Sequence, residues 1–132
     1  MIPRRAAAAA PGRRTRYFTD ERLRGRFLDA LETAYTKADP VFITSWAESG
    51  WRGRDLLFAT GGSWSIDLQI AVSPGCEHPR GALEMTRKSD GHSLSLIALT
   101  DGQLAFGGNL GLTPEEAVTW LTSFAARARG RA

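Results

Sequence analysis

Cysteine and lysine are nearly absent from this sequence, and long apolar runs are missing altogether. The single cysteine, Cys76, excludes an intramolecular disulfide and points to a reducing, cytoplasmic setting. No stretch approaches the roughly 20 apolar residues of a membrane span, so no membrane association is expected. The N-terminus places Arg4 and Arg5 ahead of five alanines, 6–10. That run is shorter and less apolar than the roughly 7–15 residues an export signal requires. Only two histidines occur, His78 and His92. Cys76, Glu77 and His78 share a loop, but their spacing matches no zinc pattern and lacks paired cysteines, so no metal is expected.

Catalytic signatures are missing as well. There is no nucleophile elbow, no phosphate-cradling G-x-x-x-x-G-K and no dinucleotide fingerprint. Cys76 and His78, two residues apart on a loop, do not form a nucleophile–base–orienter set. The acidic pairs Asp20-Glu21 and Glu115-Glu116 both stand where helices begin, where carboxylates complement the helix dipole. The sequence therefore predicts no catalytic residues, no cofactor and a non-enzymatic protein.

Arginine is plentiful: 15 arginines against two lysines, Lys37 and Lys88, a ratio that GC-rich coding alone produces. The net charge of +3 hides an asymmetry. Residues 1–16 hold Arg4, Arg5, Arg13, Arg14 and Arg16 with no acid, and 127–132 add three more arginines. The segment 17–126 has nine basic residues against fourteen acids, a balance of −5. A nucleic-acid-binding fold usually carries its basic stripe on the folded surface. Here that role would fall to the arms, which can bind polyanions weakly and with strong salt dependence.

Hydrophobic content of 42% with 23% charged residues is enough for a packed core in one domain of this length. Residues 1–16 mix Pro, Ala, Gly and Arg without periodicity and read as a disordered Arg-rich arm. A single domain is expected over 17–129 and a short tail over 130–132. Thr19 reads as a helix cap, followed by Leu23, Phe27, Leu28, Leu31, Ala34 and Tyr35 at helical spacing. Asp39-Pro40 ends that helix. The period then falls to two. Strands are expected over 41–47, from about 54 to 60, over 64–72, 82–87, 92–99 and 103–107, with turns at Gly61-Gly62, Asp90-Gly91 and Asp101-Gly102. The glycines at 107 and 108 suit a bulge where the last strand leaves the sheet. Thr113, Pro114 and Glu116 form a capping box, Ala117, Val118, Leu121, Phe124, Ala125 and Ala128 form an apolar stripe, and Gly130 supplies a stop. The expected architecture is α+β: an antiparallel sheet of five or six strands, with N- and C-terminal helices packed on one face.

One cluster invites a binding role: Trp46, Trp51, Arg52, Arg54 and Trp64. Trp64 continues the apolar face of Ile66, Leu68, Ile70 and Val72 and is expected in the core. Trp51, between Gly50 and Arg52, is expected to be exposed. Tryptophan and arginine dominate protein-interface hot spots, and the same pair suits stacking on single-stranded nucleic acid. The last strands, with the run from Gly111 through Leu112, Thr113 and Pro114 to Glu116, resemble in architecture the small transcriptional coactivators that bind single-stranded DNA on a curved sheet. The same run is also an ordinary strand-to-helix junction, and the acidic body opposes that function. The leading expectation is a protein-interaction module acting through a sheet face or the Trp51 region, with a protein partner or a homodimer. Nucleic-acid binding through the arms, and a small ligand in a sheet–helix pocket, are the alternatives.

Overall fold

The computed structural model describes residues 15–37, 39–59 and 62–131. Strand β1 (Arg16–Phe18) leads into helix α1 (Glu21–Lys37). Six strands follow: β2 (Phe42–Glu48), β3 (Trp51–Ala59), β4 (Trp64–Val72), β5 (Arg80–Arg87), β6 (Ser93–Ala98) and β7 (Leu104–Gly108). Helix α2 (Pro114–Arg131) ends the chain. The strands form one antiparallel sheet in the order β1-β7-β6-β5-β4-β3-β2. The α+β architecture holds, with seven strands rather than five or six.

The additional strand is β1, which pairs Arg16 with Phe106 and Phe18 with Leu104. Arg16, expected in the arm, is thus part of the sheet; Arg4, Arg5, Arg13 and Arg14 lie outside the described residues. Because β1 keeps the chain extended through Phe18, the helix cap falls on Asp20 instead of Thr19. The Leu23 amide donates to Asp20 Oδ1 at 3.0 Å, satisfying one of the free amides of the first turn. The capping box of α2 forms as read: Glu116 N donates to Thr113 Oγ1 at 3.1 Å, and Thr113 N to Glu116 Oε1 at 2.8 Å. Gly130 does not stop this helix, which continues to Arg131.

Ser49 and Gly50 both have positive φ, 53° and 84°, the requirement of a tight two-residue hairpin turn. Strand β3 therefore begins at Trp51, before the expected Arg54, and pairs along all of β2. Gly62, with φ 86°, stands in the β3–β4 turn; Gly61 lies outside the described residues.

One row of directly paired residues explains the core. Across the sheet run Ile43, Leu56, Leu68, Leu83, Leu96, Phe106 and Arg16. The four leucines are at most 1% exposed, each contributing about 1.5–3 kcal/mol by burial. Both helices pack on this inner face, with Phe27, Leu31, Val118 and Leu121 in the same apolar cluster. Trp64 is half-buried against it, and Phe124 meets Phe58 edge-on at 5.2 Å. Arg24, buried within α1, donates to the carbonyls of Gln103 (3.1 Å) and Pro79 (2.7 Å). It ties the helix to the 73–79 loop and the β6–β7 turn.

The outer face carries Glu48, Asp55, Asp67 and Glu84 beside a smaller apolar cluster of Ala82, Ile97 and Ala105. Among the described residues, no helix is long and apolar enough to cross a membrane.

Candidate binding site at the β2 edge

An open sheet has two edges, and these two are built differently. The β1 edge is three residues long, and Arg16 caps the adjacent Phe106 ring at 5.7 Å from its centroid. A short, charged edge strand resists pairing with other chains. Strand β2 is seven residues, has neither proline nor lysine, and holds its only charge at Glu48. It presents apolar groups on both faces: Phe42 is 59% exposed outward and Ile43 48% exposed inward. Val41 extends the patch, held by a hydrogen bond from its amide to Leu57 O at 2.9 Å.

The inner face beneath β2 is incompletely covered. Seven strands at about 4.8 Å spacing make a sheet roughly 29 Å wide, and two helices about 10 Å apart cover only some 20 Å of it. The overhang leaves an open-sided cavity of about 650 Å³ between Glu32, Tyr35 and Thr36 of α1 and the strands that carry Arg52, Arg54 and Ile70. Ser45, Ala47 and Val72 complete its rim.

The aromatic–basic cluster is divided by the pleat. Trp46 and Trp51 belong to the outer face, whereas Arg52, Arg54 and Trp64 belong to the inner one. Trp46 is half-buried and lies flat over Gly53, where a Cβ would collide with the indole. Trp51 is half-buried rather than exposed, because the Arg80 guanidinium sits 5.8 Å from its ring centroid. Arg52 and Arg54 are exposed and line the cavity. Trp64 stands at the far end of β4, under Arg87 at 6.0 Å.

Tyr35, which the sequence presented as one apolar position among several, has a further property. Its hydroxyl is buried and has no hydrogen-bond partner among the described residues. Burial first, then the negative charges of Asp55 and Asp67, push the phenol far above its ordinary range, with Arg54 acting in the opposite sense. The group is therefore a neutral donor at any physiological pH. Hydrophobic spacing alone could not separate a tyrosine with a free hydroxyl from one that merely fills the core.

The cysteine–histidine set does not assemble. Cys76 is exposed in its loop, and His78 packs at the Asp101-Gly102 turn, with Nε2 3.4 Å from the position a Cβ on Gly102 would take. His92 stands at the opposite end of β6, facing Asp90 at 3.5 Å. No group of three potential metal ligands occurs among the described residues.

Fold and site together define a small α+β protein with one guarded sheet edge, one open edge and a cavity under the open one. No family model, curated protein or solved structure matches the chain, so the site itself carries the functional argument.

Proposed function

We propose that this protein is a small, non-enzymatic interaction module that docks a partner strand on the free edge of β2. The carrying observation is the contrast between the two edges. A seven-residue strand with exposed Phe42 and Ile43 and without edge-blocking charges favours strand addition, in which backbone hydrogen bonds supply affinity and alternate side chains supply register. The occupant best suited to it is a second copy of the chain. Antiparallel pairing of β2 with itself satisfies a two-fold axis and extends a sheet that is already antiparallel throughout. The acid-bearing outer face disfavours nucleic acid there, and Trp51 is occupied by Arg80. The free thiol of Cys76 suits a reducing, cytoplasmic location.

The test is the solution mass by analytical ultracentrifugation. The unmodified protein is expected as a dimer at micromolar concentration. The double variant Phe42→Lys, Ile43→Lys, which places charge on exposed positions only, is expected to be a monomer with an unchanged melting temperature. A monomeric unmodified protein across the accessible range, or a variant that dimerises as before, overturns the reading.

A further inference from the structure

The cavity beneath β2 has the composition of a binding site for a small molecule. At about 650 Å³ it lies within the roughly 300–1,000 Å³ typical of ligand pockets. Ile70, Val72 and Ala47 give it an apolar wall. Against that wall stand two guanidinium groups, Arg52 and Arg54, and the buried donor of Tyr35, whose hydroxyl lacks a partner. The described ion pairs join Arg26 to Glu115, and Arg87 and His92 to Asp90, and take up neither Arg52 nor Arg54. The one acid lining the cavity is Glu32, exposed on α1. Two cations and one anion line the cavity itself; Asp55 and Asp67, whose charges also reach the Tyr35 hydroxyl, stand on the outer face of the sheet.

We infer that this cavity binds a small amphipathic carboxylate, its apolar body against Ile70 and Val72 and its head group between Arg52, Arg54 and the Tyr35 hydroxyl. Each element of that description has a physical ground. Arginine pairs with carboxylate through two parallel N–H···O bonds, and a buried hydroxyl without a partner gains a hydrogen bond it otherwise forgoes. A dianionic phosphate is disfavoured. The part of α1 that faces the cavity is its last two turns, where the helix dipole is negative and opposes two negative charges more strongly than one. The inference does not depend on whether β2 pairs with a second copy.

The experiment is isothermal titration of the full chain with octanoate and with its neutral isostere octanamide, and it reads ligand affinity, not oligomer mass. Octanoate is expected to bind saturably and octanamide about tenfold more weakly, in keeping with the strength of a charge-assisted pair. The double variant Arg52→Gln, Arg54→Gln should lose that preference for the charged ligand. Tyr35→Phe should weaken octanoate about threefold or more while leaving the melting temperature unchanged or raised, since the hydroxyl it removes has no partner in the free protein. Arg127→Gln, on the exposed face of α2, should change nothing. Equal affinity for octanoate and octanamide, absence of saturable octanoate binding, or full retention of octanoate affinity in the double variant each overturns the inference. Should the double variant prove unstable, the comparison of the two ligands on the unmodified protein decides alone.

Discussion

Gly108 shows how much of this fold depends on single backbone positions. Its φ is 115°, and a Cβ there would stand 2.8 Å from Leu94 Cα, backbone that cannot move aside. Gly107 beside it lacks the positive φ, and its nearest obstacle is the Thr15 hydroxyl at 3.1 Å. Gly108→Ala is therefore expected to cost about 2–3 kcal/mol or more, from strain plus overpacking. Gly107→Ala should cost clearly less. Urea unfolding of the two variants side by side checks the order. No bulge forms there, since Gly107 and Gly108 pair one to one with Ser95 and Leu94; the glycine pair marks a close backbone approach instead, and the sequence could not say which of the two carries it.

At the level of elements, the hairpins are pinned by side chains that return to their own backbone. In the β5–β6 turn, Arg87 Nη2 bonds Asp90 Oδ2 at 2.5 Å and the His92 amide donates to Asp90 Oδ1 at 3.0 Å. The Arg87 hydrogen bond, followed by that amide, lowers the Asp90 carboxyl to about 2. An unfolded aspartate titrates near 3.9, so the folded state binds fewer protons in this window. The stabilisation is complete above about pH 4 and disappears as pH falls through about 2. Asp90→Asn should lower the urea midpoint at pH 5, and its deficit relative to the unmodified protein should shrink steadily towards pH 2. A deficit independent of pH would remove the charge from the explanation. The β6–β7 turn uses the same device, the Gln103 amide donating to Asp101 Oδ1 at 3.0 Å. The Asp-Gly signals were legible because this chemistry is local. The Ser49-Gly50 turn was harder to read, since a serine at positive φ is tolerated by the hairpin that surrounds it and not announced by its neighbours.

For the molecule as a whole, legibility follows the range of the interaction. Helix α2, strand β4 and the Asp-Gly hairpins rest on contacts within a few residues, and their residues name them. Strand β1 does not: Arg16, Tyr17 and Phe18 are too few to show a period of two, and their partners lie some 90 residues away in β7. The candidate site was partly legible. Arg52 and Arg54 stood out, but their separation from Trp46 and Trp51 by the pleat depends on register, which is a property of pairs of strands. The cavity was invisible for a related reason, since it arises where two helices fail to span seven strands, and no residue encodes a shortfall of width.

The distant partner of β1 also dictates an order of events. Strands β2 to β7 can zip up neighbour by neighbour as the chain leaves the ribosome, each closing a short loop. Strand β1 is made before all of them and has nothing to pair with until Leu104–Gly108 has appeared. Closing so long a loop is slow and entropically costly, which places this strand at the end of the folding pathway. Phe18, half-buried against the core, then reports on the final step. Phe18→Ala should accelerate unfolding and leave the refolding rate nearly unchanged in stopped-flow measurements, as for contacts formed after the transition state. A refolding rate that falls in proportion to the lost stability would instead put β1 in the nucleus. On this account the protein completes itself by fastening its first strand last.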